Sequence, residues 1–169
     1  VESRGNGRII CYDPKTNKTK TIIRNLKFAN GVCVTKDCQS ILFAETFGMK
    51  VSRYWFEGPK KGTTEVIMDN IPGYPDNINR ASDGNYWLAL VGMRGPALDL
   101  ALTLPDFRKR MSRRINTSNW LFPNINTGCV IKITENGEVL ESLWDLKARN
   151  HPMVTSMKEH KGHLYLGGI

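Results

Sequence analysis

The side chains with the most direct chemical potential here are three histidines, four cysteines and a dense basic run. His151, His160 and His163 carry the one side chain that exchanges a proton near neutral pH without environmental help. His160 and His163 flank a turn and are expected to be exposed, whereas His151 precedes a short apolar segment and is the candidate for a functional surface. No serine sits in a nucleophile motif. Cys11, Cys33, Cys38 and Cys129 contain no C-x-x-C pair, which argues against a zinc site. Cys33 and Cys38 are placed either to close a local disulfide across a hairpin or to remain free thiols, and spacing does not choose between them. Arg108, Lys109, Arg110, Arg113 and Arg114 supply five positive charges within seven residues. That run is either a solvated helix face or a contact for an anionic partner. A nucleic-acid partner is disfavoured, because no nucleic-acid-binding module and no aromatic stacking ladder accompanies the run.

These residues sit in a chain of 169 residues with a formal charge of +8, 40% hydrophobic and 24% charged residues. That composition belongs to a folded globular protein rather than a disordered chain or a small disulfide-framework toxin. No run of about 18 apolar residues is present, so no segment reads as a membrane-spanning helix. Asn17-Lys18-Thr19 and Asn116-Thr117-Ser118 match the glycosylation acceptor pattern, which acquires meaning only in a secreted eukaryotic protein. The chain opens on Val1 without Met and closes on Leu166-Gly167-Gly168-Ile169 in what reads as mid-strand, so we expect a segment of a longer protein.

The elements that must position the chemistry are short strands joined by turns. Gly7–Tyr12 and Thr19–Ile23 flank an Asp13-Pro14 turn, Val32–Val34 and Ile41–Ala44 form a second hairpin, and Val51–Phe56 and Thr64–Met68 a third. Ile78 and Tyr86–Leu90 flank Asp83-Gly84, and Val130–Ile133 and Val139–Trp144 flank Asn136-Gly137, expected to be a two-residue hairpin turn with both residues at positive φ. Val154–Met157 and Leu164–Leu166 form the last pair. Asn30 and Asp76 lie 76 − 30 = 46 residues apart in similar contexts, and a period of that size carrying four short strands marks a propeller blade. The expected fold is therefore all-β, with about three blades' worth of strands. Residues 93–122 interrupt the pattern. Ala97–Leu102 and Phe107–Ile115 read as two short helices around Pro105, with Phe107, Met111 and Ile115 as a face packing downward and the cations facing out. This insertion is expected to cap the mouth of a channel or to touch a membrane surface. Trp55, Trp87, Trp120 and Trp144 are expected in blade packing, and Glu45 in a solvated turn.

Phe28-Ala29-Asn30-Gly31-Val32, Ala44-Glu45-Thr46, Arg53-Tyr54-Trp55-Phe56-Glu57-Gly58-Pro59-Lys60-Lys61-Gly62-Thr63, Pro72-Gly73-Tyr74-Pro75-Asp76-Asn77-Ile78 and Gly162-His163-Leu164-Tyr165-Leu166-Gly167 occur in this order. Together they resemble the strictosidine synthase-like family, in the branch of the adipocyte plasma membrane-associated proteins. The resemblance implies a six-bladed β-propeller related to gluconolactonase and paraoxonase, with residues 1–169 as its C-terminal half and 93–122 as a cap within it. It implies calcium in the central channel held by Asn30, Asp76 and Asn77, with further ligands upstream of Val1 and hence weak calcium binding by this chain alone. It also implies hydrolysis of an ester, lactone or organophosphate, or alternatively a non-enzymatic binding propeller at a membrane. A membrane-anchored or extracytoplasmic location goes with that branch. Thr155 falls where the catalytic Glu of true strictosidine synthase would stand, and Thr transfers no proton at neutral pH, so that activity is not expected. Thr155 and His151 remain as channel-facing candidates.

Overall fold

The computed structural model describes residues 4–116, 118 and 126–169. Among the described residues twelve strands run in chain order: β1 (Gly7–Asp13), β2 (Lys18–Leu26), β3 (Ala29–Val34), β4 (Ser40–Glu45), β5 (Lys50–Trp55), β6 (Thr64–Met68), β7 (Gly73–Arg80), β8 (Tyr86–Met93), β9 (Gly128–Ile133), β10 (Val139–Asp145), β11 (Val154–His160) and β12 (His163–Gly168). Two helices, α1 (Pro96–Thr103) and α2 (Pro105–Arg114), lie between β8 and β9. The strands form two four-stranded antiparallel sheets, β3-β4-β5-β6 and β7-β8-β9-β10, and two two-stranded sheets, β1-β2 and β11-β12. This is a partial β-propeller: two complete blades flanked by two strand pairs, as the hairpin pattern predicts.

The core lies between blades rather than within one. Strand alternation explains how. On β4, Leu42 and Ala44 pack toward the following blade with Tyr86, Leu88, Leu90 and Ile131, while Ile41 and Phe43 pack toward the preceding pair with Ile9 and Leu26. On β8, Trp87 and Ala89 face the other way, onto Val154 and Met157 of β11. Strands with both faces covered read as near-continuous apolar runs, which is why β4 and β8, second in their blades, stand out in the sequence.

Topology also fixes which connections share one end of the blades. Within each blade the chain steps from the inner to the outer strand in antiparallel order. The second-to-third connection and the return to the next inner strand therefore emerge at the end where inner strands begin. Residues 27–28, 46–49, 69–72, 94–116, 126–127 and 146–153 all lie at that end. The helical insertion and His151 thus share a face with the starts of β3, β7 and β11.

Several expectations need correction. The Asn136-Gly137 turn is not a two-residue loop: only Gly137 has positive φ (87°), Gly137 N–H donates to Thr134 O at 3.0 Å, and Thr134 N–H donates to Glu138 O at 2.8 Å. This is a three-residue type I turn closed by a left-handed Gly, which needs positive φ at one position only. Ser82-Asp83-Gly84 repeats it. The two-residue loop occurs instead at Lys161-Gly162, with φ of 49° and 75°. The Phe107 face of α2 does not pack down: Phe107 is 45% and Ile115 37% exposed, and the helix has no buried residue. Arg108 departs from the outward cationic face, donating to the carbonyls of Ala101 and Leu102 at 2.8 and 2.6 Å and so capping the end of α1. Trp87 packs in the core, but Trp144 is exposed, and Trp120 lies outside the described residues. Part of 93–122, and Thr117 of the second acceptor pattern, also lie outside them. All four cysteines are free thiols, so Cys33 and Cys38 are not bonded to each other.

Candidate functional site

Three inner strands bulge at corresponding places. Between Ala29 and Val32, β3 spends three steps where β4 spends two, from Glu45 to Phe43, which places one extra residue at Asn30-Gly31. Between Pro75 and Ile78, β7 does the same against Leu90 and Leu88, at Asp76-Asn77. Between Val154 and Ser156, β11 takes two steps against one, from Gly168 to Gly167, at Thr155. A bulge breaks the strict in-out alternation and re-aims a side chain that a regular strand would send into a blade face.

The bulges bring Asn30, Asp76, Asn77 and Thr155 together. Asn77 Nδ2 donates to the Thr155 carbonyl at 2.9 Å and to Asp76 Oδ1 at 3.0 Å. A carbonyl only accepts, so the Asn77 amide is fixed in this sense and its Oδ1 is left as an acceptor. Asn30 Nδ2 donates to Thr46 Oγ1 at 3.1 Å, while that hydroxyl spends its single proton on Pro75 O at 2.7 Å. The Asn30 amide is therefore fixed too, again with Oδ1 left as the acceptor. Burial pushes the Asp76 carboxyl above its ordinary pKa, and a hydrogen bond from Asn30 pulls weakly the other way. One carboxylate whose charge is disfavoured by its surroundings, beside two oriented amide oxygens, fits a hard oxygen-seeking cation such as calcium. Among the described residues no cluster of three or more His, Cys, Asp or Glu side chains that could hold a metal ion is present.

Gly31 lets the strands approach this closely. A Cβ there would stand 2.6 Å from Asn77 Cα, 2.6 Å from Ile78 N and 2.7 Å from Asp76 O. All three are backbone atoms that cannot rotate aside.

Other candidates sit differently. Thr155 contributes its carbonyl, and its hydroxyl makes only a 3.3 Å bond to Gly167 O. His151 is exposed, and its backbone N–H donates to Asp145 Oδ2 at 2.9 Å. Amides of His151, Asn150 and Arg149 converge on the Asp145 carboxylate and, with other contacts, bring its pKa down to about 2. No hydrogen bond among the described residues joins the His151 ring to Asn30, Asp76 or Asn77. His160 and His163 face each other across the last turn, exposed. Burial raises the Cys33 thiol and pushes Cys129 up to about 12, which keeps both protonated.

Two positions that shape this cluster have no site role in the sequence reading. Thr46 is buried and bridges Asn30 to Pro75. Glu45, expected in solvent, is buried; it accepts from Lys27 N–H at 2.8 Å and pairs with Lys50 at 3.1 Å. The Ala44-Glu45-Thr46 motif was the available signal, but neither residue type alone marks a buried bridge. The Glu45 clamp holds the loop in which Phe28 adopts φ of 62° while 52% exposed. A left-handed conformation costs a bulky L-residue about 1–2 kcal/mol, so the loop is held there by its bonds rather than by preference.

The chain is similar to known proteins in sequence and in fold. Residues 1–59 match the family model described as Strictosidine synthase. The chain is 36% identical over 168 residues to Protein STRICTOSIDINE SYNTHASE-LIKE 10 of Arabidopsis thaliana, covering 96% of this chain and 44% of that protein. It is 33% identical over 173 residues to the adipocyte plasma membrane-associated protein of Salmo salar, covering 100% of this chain and 42% of that protein. The chain thus spans less than half the length of the curated relatives it matches. Among solved structures, a luciferin-regenerating enzyme superposes with a TM-score of 0.64 at 18% identity, over 97% of this chain and 44% of that one. Regucalcin from Agrobacterium tumefaciens, described as a calcium-binding protein, gives 0.52 at 15% identity over 82% of this chain and 37% of that one. The structural likenesses speak for the propeller fold, and the sequence likeness runs from one end of the chain to the other: the chain belongs to the strictosidine synthase-like family.

Proposed function

We propose that this chain forms the C-terminal half of a six-bladed propeller that acts as a calcium-dependent hydrolase of esters, lactones or organophosphates. The observation that carries this reading is the set of matched bulges that turns Asn30, Asp76 and Asn77 toward one another, with both amide nitrogens engaged as donors and both amide oxygens left to accept. Asp76 supplies the negative charge, and the Asn30 and Asn77 oxygens add neutral donors. Thr46 and the Thr155 carbonyl keep those amides from rotating. Three oxygen-bearing side chains fall short of the six to eight that calcium takes, so calcium affinity of this segment by itself is weak and the remaining donors come from the other blades. When bound, calcium would draw electron density from a substrate carbonyl or phosphoryl oxygen. Thr155 takes no part in proton transfer, so strictosidine synthase chemistry is not part of this reading. His151 lies on the same face as the site and is the candidate for exchanging a proton there.

The test is turnover of phenyl acetate by the full-length protein, with and without a calcium chelator. Turnover that the chelator abolishes and calcium restores is the expected result. Turnover insensitive to chelation, or none across a panel of esters and lactones, sinks the hydrolase reading.

A second reading is favoured by the helical insertion. Leu100 is 61% exposed, Leu104 and Phe107 are also exposed, and Lys109, Arg110, Arg113 and Arg114 are exposed on α2. Exposed apolar residues on a segment that also presents cations suit the surface of an anionic membrane, at about 1 kcal/mol per cation near the surface. On this reading the propeller is a binding module held at a membrane. Reversing the four charges to Glu is expected to abolish sedimentation with phosphatidylserine vesicles and leave neutral vesicles unaffected. Binding that survives the reversal removes the membrane role.

A further inference from the structure

We propose that two copies of this 169-residue chain close into one ring, each supplying the half-blades that complete the other's. The inference rests on the six-bladed propeller reading and not on hydrolysis. A strand repeat tells inner pair from outer pair. Gly162-His163-Leu164-Tyr165-Leu166, leading into β12, corresponds to Gly84-Asn85-Tyr86-Trp87-Leu88, leading into β8, the second strand of its blade. Gly7-Arg8-Ile9-Ile10-Cys11-Tyr12 of β1 corresponds to Gly128-Cys129-Val130-Ile131-Lys132-Ile133 of β9, a third strand. β11-β12 is therefore the inner half of a blade and β1-β2 the outer half of another. Joining β12 of each copy to β1 of the other completes two blades. With the two whole blades of each copy, the ring then has six, and the rotation closes after two subunits.

Exposed apolar side chains lie where this closure would cover them. β1 and β12 each pair with one neighbour only, so each presents an open backbone edge. Ile9 of β1 packs on Ile41 and Phe43, while Ile10 and Tyr12, on the other face, are exposed. Between β8 and β9, Tyr86 pairs with Ile133, Trp87 with Lys132 and Leu88 with Ile131. The same offset sets Leu164 against Tyr12 of the second copy, Tyr165 against Cys11 of the second copy, and Leu166 against Ile10 of the second copy. Leu164 packs toward β8 and Leu166 shares its face, so the two apolar pairs fall on the side of blade β7-β8-β9-β10. Tyr165, exposed, points the opposite way. There it would meet the β3 face on which Val32 and Val34 are exposed, inside the part that β1-β2 covers. Closure also gathers Asn30, Asp76 and Asn77 of both copies around one axis. The second copy would then supply the oxygen donors by which one copy falls short of a calcium shell.

The experiment is analytical ultracentrifugation of the 169-residue chain in chelator at micromolar concentration. A species of twice the chain mass is expected. Ile10→Lys alters a side chain that is exposed in the single copy, so the far-ultraviolet circular dichroism should not change. It should nevertheless raise the dissociation constant at least about 100-fold, because each dimer buries Ile10 twice. Tyr165→Cys treated with oxidised glutathione should give a dimer bridged to Cys11 on a non-reducing gel, and adding Cys11→Ser should abolish the bridge. A monomer, a ladder of larger oligomers, a dimer that tolerates Ile10→Lys, no bridge, or a bridge that survives Cys11→Ser overturns the closure. Calcium is added only afterwards: a bridged dimer that calcium does not stabilise keeps the ring and counts against the calcium reading.

Discussion

Asp76→Asn is expected to lower the calcium affinity of the full-length protein by at least about 100-fold while raising its stability in the absence of calcium. The two effects have one cause. Burial lifts the Asp76 carboxyl above its ordinary pKa, so the folded protein holds this proton more tightly than the unfolded chain does. A raised folded pKa means that the stability contribution is complete below the unfolded value near about pH 4 and is lost as pH rises through the folded value. At neutral pH the metal-free protein therefore carries a destabilising charge, which Asn removes at nearly constant shape. Calcium reverses the order. A ligand at a hundred times its dissociation constant stabilises the native state by about 2.7 kcal/mol, and the variant forgoes most of that. Thermal unfolding at pH 7 should place the variant above the parent in chelator and below it in saturating calcium. A variant less stable under both conditions would show that Asp76 is a structural carboxylate, and would remove the proposed ligand.

Gly31→Ala should destabilise the protein by roughly 3 kcal/mol, at the upper end of what overpacking costs. The added methyl would enter the backbone of β7 at Asp76, Asn77 and Ile78, where no side chain can swing away. Relief requires β3 and β7 to separate, and that separation pulls Asn30 from Asp76. We expect a melting temperature lower by about 6–12 °C and loss of whatever calcium affinity the parent has. Gly95→Ala is the control, because a Cβ there meets nothing within 4 Å and its φ is not positive. Its effect should stay under about 1 kcal/mol. A Gly31→Ala protein that melts within a degree or two of the parent would mean that the inner strands have slack, contrary to the geometry.

Much of the architecture was legible in the residues. The alternation of Leu42 and Ala44 against Ile41 and Phe43 announces a strand covered on both faces, and Gly-containing turns announce the hairpins. Asn30 and Asp76 could be paired by their spacing and surrounding motifs. The failures were local. Asn136-Gly137 suits either of two turns, and the choice depends on the register of β9 against β10. The spacing of Phe107, Met111 and Ile115 defines a face but not whether anything lies beneath it. Glu45 reads as a solvent residue because its partners, Lys27 N–H and Lys50, become neighbours only after the strands have paired.

What the sequence determined by itself is the blade pattern, the family motifs and which residue types could donate oxygen. Those depend on periodicity and composition, which are properties of neighbours along the chain. Only the tertiary structure decided the bulges at Asn30-Gly31, Asp76-Asn77 and Thr155, the direction of each amide and the exposure of Phe28. A bulge is a mismatch between two strands, and an amide takes its direction from the acceptor across from it. Both are set by pairs of residues far apart in sequence, Asn77 and Thr155 among them, so no local pattern could have specified them.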